Sequence, residues 1–267
     1  MKLAVSSLAW APAEDVAVRA LLVERGVRGI ELAPLKYWPA ALDVSAGALA
    51  QYRAGWTDAG IAIVALQGIL FGKPDLQLFG SDRQRSALED HLGRIARVAE
   101  ALGASIVVLG APGNRLRGSL TDDEAIASAI PMLRRLASQY ATRGCALCIE
   151  AAPPAYGGDF VRDLAEASRL VEAVGHPGFG LHLDAGAVAI AGEPDTEVVR
   201  AARQARHFHI SEVGLGPLGS GTVDHPRIAR ALRDAGYGGW RSIEMRPVEL
   251  PMISSAIDVA LAAYSPE

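Results

Sequence analysis

Short apolar segments alternate with longer amphipathic segments eight times along the chain. The short segments are typical of strands, and the longer ones repeat their apolar residues with the period of a helix. The predicted strands cover 2–10, 29–34, 61–68, 105–111, 146–152, 179–185, 205–211 and 240–246. The predicted helices cover 13–26, 45–59, 82–103, 121–144, 160–175, 195–203, 224–236 and 251–263. This strict alternation predicts an α/β protein.

The number of these units favours a closed barrel over an open sheet. Eight β-then-α units in 267 residues match the size of a single (β/α)8 TIM barrel, predicted here as one domain over 1–267. A doubly wound open sheet is the alternative, and it normally has a glycine-rich phosphate turn after its first strand. The segment Ser6–Trp10 contains no glycine. We therefore expect a barrel with its functional residues at the carboxyl ends of the strands.

The last four predicted strands alternate apolar and polar side chains. Because one face of a barrel strand meets the helices and the other faces the lumen, the polar set is expected inside. This pattern directs one carboxylate or imidazole per strand inward near the strand end: Glu150, Asp184, His209 and Glu244. Three carboxylates in a confined space repel one another unless a cation is present. The alternative is that each is a structural polar group.

We therefore predict that these four residues bind one divalent metal ion. The oxygen-rich ligand set suits Mn²⁺ best, and Mg²⁺, Co²⁺ or Zn²⁺ would also be accepted. An α-hydroxy ketone held by such an ion has an acidified C–H, so a carboxylate can remove the proton and leave a metal-bound enediolate. A second carboxylate could then return a proton to the same carbon or to its neighbour.

The same segments resemble the xylose-isomerase-like barrel superfamily, in particular its sugar isomerase/epimerase branch. The resemblance covers essentially the whole chain. It rests on Ile149-Glu150, Leu183-Asp184, His207 to Glu212, Ser242-Ile243-Glu244 and the glycine-rich segment from Gly219 to Asp224. It implies that Glu150, Asp184, His209 and Glu244 are the ligands of one divalent ion. It also implies that Glu150 and Glu244 form the acid/base pair of an isomerase or epimerase acting on a ketose or related polyhydroxy-carbonyl compound.

Two positions depart from the pattern of that branch. Ala187 stands three residues after the aspartate, where many relatives carry a histidine, and Ala152 stands where a polar residue is common. These departures leave room for an inosose-type dehydratase or for a barrel that binds sugar or metal without turnover. An endonuclease IV-like hydrolase is disfavoured because it needs additional histidines and a basic DNA-binding surface.

Several further residues are candidates for the same site. His182 and His207 precede ligands by two residues on the same strand faces, so they either orient Asp184 and Glu150 or are ordinary core histidines. The glycine-rich loop 214–221 either binds phosphate or simply forms turns. The candidate substrate-binding residues are Arg246, Trp10, Gln67, Tyr156 and Glu31. Arg246 follows Glu244 by two residues and so is expected on the same lumen face, where it either contacts substrate or neutralises the acidic cluster. Trp10 and Tyr156 follow strands, where aromatic side chains either line a sugar pocket or pack loops at the barrel mouth.

Charge and composition restrict the partners. The formal net charge of −4 gives no general attraction to nucleic acid or to an anionic membrane. The N-terminal segment has no basic leader or long apolar region, and no stretch is long enough to span a membrane. We expect a cytoplasmic protein whose partner is a small sugar or sugar-derived molecule, with a homo-oligomer as an open possibility.

Overall fold

Eight parallel strands close into a barrel in chain order, which confirms the predicted fold. The computed structural model describes residues 1–39 and 44–265. The strands are β1 (Leu3–Ser6), β2 (Gly29–Leu32), β3 (Ala62–Leu66), β4 (Ile106–Leu109), β5 (Ala146–Glu150), β6 (Phe179–Asp184), β7 (Ala205–Ser211) and β8 (Trp240–Glu244). The barrel closes where β1 pairs with β8, through Leu3 with Arg241 and Val5 with Ile243.

The strands are surrounded by helices near the predicted positions. The helices are α1 (Asp15–Glu24), α2 (Pro34–Tyr37), α3 (Ala46–Thr57), α4 (Asp82–Leu102), α5 (Asp122–Ala141), α6 (Leu164–Val174), α7 (Ala185–Ala191), α8 (Asp195–Gln204), α9 (His225–Asp234) and α10 (Leu250–Tyr264). Ser81 and Thr121 each accept a hydrogen bond from the third backbone N–H of the helix that follows, and this capping fixes where α4 and α5 begin. Among the described residues, no helix is both long and apolar enough to cross a membrane.

Two short helices and the strand ends differ from the prediction. Helices α2 and α7 were not predicted, because each directly follows a strand and continues its apolar run. Most strands also end sooner than predicted, since a parallel strand stops where pairing with its neighbours stops. Strand β8 ends at Glu244, which is paired with Ser211 of β7. Residues beyond Glu244 therefore no longer alternate between lumen and helix.

The barrel lumen contains two kinds of side chain. One group, called here the apolar lumen cluster, consists of Ala4, Val64, Ala65, Ile106, Val108, Ala146 and Cys148. The other, called the polar lumen cluster, consists of Glu31, His182, His207, His209 and Ser242, all buried. A separate and larger apolar core lies between the barrel and the helices. The polar cluster lies next to the strand ends that carry the predicted site.

Candidate metal and active site

The barrel brings the four predicted metal ligands together around His209. Its Nδ1 atom lies 3.1 Å from Glu244 Oε2 and 3.8 Å from Asp184 Oδ2. Asp184, His209 and Glu244 each offer one ligand atom within 4.8 Å of the others. Glu150 satisfies the same criterion with His182 and His209. The two groups share His209, and Asp184, His209 and Glu244 could together hold a cation next to Glu150.

Ionising all the carboxyl groups of this site at once is unfavourable. Burial, followed by the charges of Asp184 and Glu244, raises the pKa of Glu150 to about 8. Burial and the charge of Glu244 raise the pKa of Asp184 to about 6. Both shifts have the cause expected when anions are enclosed without enough positive charge. A divalent cation would relieve this repulsion, so the residues present fit a metal such as Mn²⁺, Mg²⁺, Co²⁺ or Zn²⁺.

Glu31 supports His209 from the side opposite to these carboxylates. Its Oε2 lies 2.9 Å from His209 Nε2. Burial alone would raise the pKa of Glu31, but the charges of His209 and His207 hold it well below its usual value. A carboxylate facing Nε2 keeps a proton on that nitrogen and leaves Nδ1 for Glu244, Asp184 or a cation. Glu31 is fully buried against His209 and His207, and its contact with substrate stays a prediction.

Of the other two histidines, His182 lies near one of the predicted partners and His207 does not. His207 Nε2 lies 3.2 Å from Glu31 Oε1, so its neighbour is Glu31 rather than Asp184 or Glu150. His182 Nε2 lies 3.9 Å from Glu150 Oε1, beyond hydrogen-bond distance. Both ring nitrogens of His182 lack a hydrogen-bond partner. Burial and the two neighbouring histidines lower the pKa of His182 well below its usual value, which keeps the ring neutral.

Asp184 is oriented by groups that the sequence analysis missed. Ser211 donates its hydroxyl to Asp184 Oδ2 at 2.5 Å. The backbone N–H of Ala187 donates to Oδ1 at 2.6 Å, because Asp184 is the N-cap of α7. Ser211 lies on the same face of β7 as His209, and this alternation was the available signal. The cap could not be predicted without recognising α7.

Glu150 fits at the end of β5 because Gly110, the residue that directly follows β4, has no side chain. A Cβ atom added to Gly110 would lie 2.4 Å from Glu150 Oε2. Arg115, which is also buried, fastens the two strand ends by donating to the carbonyl oxygens of Gly110 at 3.0 Å and Glu150 at 2.6 Å. Burial lowers the pKa of Arg115 to about 10, which leaves the guanidinium charged at neutral pH.

A cavity of about 380 Å³ opens above the two glutamates. Its lining includes Glu150, Glu244, Gln67 and Asn114. Gln67 was predicted to face the site, and its Nε2 donates to Ser6 Oγ at 2.6 Å and Glu31 Oε2 at 3.2 Å. The volume is that of a small-molecule site.

Tyr156 joins two loops near the same carboxylates but does not line this cavity. Its hydroxyl accepts a hydrogen bond from the Gly214 N–H at 3.2 Å, which links the loop after β5 to the loop after β7. Burial and the charges of Asp184, Glu150 and Glu244 raise the pKa of Tyr156. A contact with substrate therefore stays a prediction for this residue.

Two other predicted substrate contacts lie elsewhere. Trp10 is buried, donates its Nε1–H to Asp15 at 2.7 Å and packs against Trp56 with ring centroids 6.4 Å apart. The prediction that Trp10 lines the pocket is therefore wrong. Arg246 does not share the lumen face of Glu244, because β8 has already ended; it is exposed on the rim of a second cavity.

The glycine-rich loop after β7 already encloses an anion from the chain itself. The buried Glu212 carboxylate accepts hydrogen bonds from the backbone N–H groups of Gly219 at 3.2 Å and of Thr222 and Val223 at 3.3 Å. Nε2 of His225 lies 3.4 Å from the same carboxylate. Because these donors are occupied, the geometry favours the turn-forming interpretation over a phosphate site.

A family model described as xylose isomerase-like TIM barrel matches residues 19–259. This match confirms the resemblance inferred from the strand-end motifs. Among curated proteins, no sequence matches the chain.

Several solved structures share this architecture. A D-psicose 3-epimerase, crystallised in the presence of D-fructose, gives a TM-score of 0.80 at 17% identity over 100% of each chain. A 3-keto-D-glucoside 4-epimerase from E. coli gives 0.80 at 18% identity, again over 100% of each chain. The IOLI protein with a bound zinc atom gives 0.77 at 18% identity, covering 99% of this chain and 98% of that chain. At these identities the likeness shows a shared fold.

Proposed function

Because the chain belongs to the xylose isomerase-like TIM barrel family, we propose that it is a divalent-metal-dependent isomerase or epimerase. Its substrate would be a ketose or a related polyhydroxy-carbonyl compound. The convergence of Glu150, Asp184, His209 and Glu244 beneath a sugar-sized cavity is the observation that carries this proposal. Sugar epimerases among the proteins of similar fold, and the zinc in another of them, support it.

The two glutamates are placed to move protons. Glu150 and Glu244 both line the cavity, so both can reach a bound substrate. In the proposed reaction one of them removes the proton from the carbon next to the carbonyl. The other returns a proton to the opposite face of that carbon in an epimerisation, or to the neighbouring carbon in an isomerisation. A divalent ion, Mn²⁺ in our expectation, would act as a Lewis acid that stabilises the negative charge left by proton removal.

The remaining residues would hold this pair in position. Asp184 and His209 complete the ligand set, and Ser211 and Glu31 keep each of them in one orientation. Gln67 faces the cavity with an amide that can bind a sugar hydroxyl. Gly110 leaves the space that Glu150 occupies. These roles are proposals that follow from the geometry.

Metal content and solvent-proton exchange together test the proposal. Wild-type protein is expected to bind about one divalent ion per chain and to exchange a substrate proton in D₂O. Asp184→Asn should lose the metal, whereas the exposed control Asp90→Asn should keep it. Glu244→Gln should abolish exchange while weakening substrate binding much less. A wild-type protein that binds none of Mn²⁺, Mg²⁺, Co²⁺ and Zn²⁺ would contradict the proposal. Product analysis would separate an epimerase from a dehydratase.

A further inference from the structure

A second cavity adjoins the proposed metal site. It has a volume of about 460 Å³ and meets the first cavity at Gly68 and Phe71, which line both. It lies over the ends of β1, β2, β3 and β8. The apolar side chains in its wall are Leu8, Ala33, Leu35, Phe71, Leu215 and Pro247.

The charged residues of this cavity offer little to a sugar hydroxyl. Lys36 Nζ already donates to the carbonyl oxygens of Ser7 at 2.7 Å, Leu8 at 3.3 Å and Trp10. Arg246 also lines this cavity, and because it is exposed its guanidinium can remain hydrated. Since buried hydroxyls without hydrogen-bond partners are costly, a polyol would gain nothing by entering. The wall instead matches an apolar group.

An apolar group bound in the second cavity would explain why Phe71 is exposed. Its side chain is 82% exposed between the two cavities. A large apolar side chain left in water beside a pocket is typical of a binding surface. A ligand that spans both cavities would cover this ring.

The two cavities therefore differ in polarity, as expected if they bind a polar part and an apolar part of one ligand. Carboxylates and the Gln67 amide border the first cavity, whereas the second is lined by aliphatic and aromatic carbon. We propose that the substrate is a polyhydroxy-carbonyl compound carrying an apolar substituent, such as an aryl or alkyl aglycone, which binds in the second cavity. This inference rests on the proposed function, because the first cavity is assigned to the reacting part.

The test compares phenyl and methyl 3-keto-β-D-glucopyranoside, which carry a ketone beside hydroxyl groups, as probes of the Mn²⁺-loaded protein. Titration calorimetry and saturation-transfer NMR should show about tenfold tighter binding of the phenyl glycoside, with transfer to the ring protons. The preference should fall to about threefold or less in Leu215→Asn and in Phe71→Ser. Leu215 has φ of +59°, which asparagine tolerates, so the substitution keeps the backbone. Val213→Asn is the matched control, because Val213 is exposed on the same loop and lines neither cavity.

Equal binding of the two glycosides, or no binding of either, would overturn the inference. A dimer that dissociates in Phe71→Ser, together with no phenyl preference, would also overturn it and assign the cavity to a second copy of the chain. Exchange on free ketoses without a phenyl preference would leave the proposed function intact. A phenyl preference without metal binding or exchange would contradict the proposed function and leave the cavity assignment standing.

Discussion

The two clusters in the barrel lumen are equally buried but are held together differently. The apolar lumen cluster comes from β1, β3, β4 and β5, and its small side chains accept any neighbour of suitable size. The polar lumen cluster comes from β2, β6, β7 and β8, and each of its members needs a particular partner. Glu31 and His209, for example, are 178 residues apart in sequence and 2.9 Å apart in space.

The two clusters therefore contribute differently to stability and to function. Among the described residues, the polar cluster leaves both ring nitrogens of His182, Nδ1 of His207 and the Ser242 hydroxyl without hydrogen-bond partners. Such groups reduce stability in a buried position. Proteins keep them mainly where a site needs them. We infer that the polar cluster is retained to position His209 and Glu150, and that the apolar cluster supplies stability.

Breaking the central contact of the polar cluster should have the largest effect. Glu31→Leu leaves the buried His209 without its carboxylate and should lower the free energy of unfolding by about 3–5 kcal/mol. Metal affinity should fall about 10- to 100-fold as His209 loses its orientation. Urea unfolding and metal titration measure the two effects. The exposed control Glu24→Leu should change stability by less than about 0.5 kcal/mol. An unchanged metal affinity in Glu31→Leu would refute the positioning role.

Crowding Glu150 should reduce activity with little effect on folding. In Gly110→Ala the new methyl carbon would lie 2.4 Å from Glu150 Oε2, which is too close, so the carboxylate must move. We expect kcat/KM for solvent-proton exchange to fall about 100-fold. Gly113→Ala is the control in the same loop, because no atom lies within 4 Å of its added Cβ. Equal activity of the two variants would show that the position of Glu150 is not critical.

A polar substitution in the apolar lumen cluster and an apolar substitution in the polar lumen cluster should affect the free energy of unfolding differently. Val64→Thr buries a hydroxyl in the apolar cluster and should lower the free energy of unfolding by about 1–2 kcal/mol. His182→Leu removes two unpaired nitrogens and should leave the free energy within about 1 kcal/mol of wild type, or raise it. Both are measured by urea unfolding. A loss greater than about 2 kcal/mol in His182→Leu would mean that the ring has a stabilising partner.

The smallest expected effect is on the pH dependence of the metal-free protein. Folding raises the pKa of Glu150 from 4.5 to about 8 and that of Asp184 from 3.8 to about 6. At these two carboxyl groups the folded state binds more protons than the unfolded state, so their contribution to stability should fall as pH rises from about 5 to about 8. Glu244 and Glu31 outweigh burial and raise the pKa of His209, which acts in the same direction. His182, whose pKa folding lowers, acts in the opposite direction only below its ordinary pKa of 6.5.

Differential scanning calorimetry measures this effect. The Tm of metal-free protein should fall by roughly 5 °C between pH 5 and pH 8. Saturating Mn²⁺ should raise the Tm more at pH 8 than at pH 5, because the ion then replaces fewer protons. A metal-induced increase that shrinks with pH would contradict the proposed ligand set.

The sequence predicted the barrel, and it predicted that the four candidate ligands lie at or near the carboxyl ends of the last four strands, where the structure has them. Both results follow from local periodicity: eight β-then-α units identify the fold, and alternation along a strand identifies the face of Glu150 or His209. Predictions failed where periodicity ended. Arg246 was placed in the lumen by extending the alternation past Glu244, but the strand stops there. Trp10 was predicted to contact substrate because it follows β1, but its ring packs against Trp56.

What the sequence determined by itself was therefore the order of elements and which side chains face inward, because both depend on neighbours a few residues away. Only the tertiary structure decided which inward side chains are partners. Barrel closure places Glu31 of β2 against His209 of β7, and the pairing of neighbouring strands places Gly110, just after β4, beside Glu150 of β5. The join between the two cavities at Phe71 is likewise set by loops from different strands. Such contacts depend on the register and closure of the whole sheet, which no local pattern encodes.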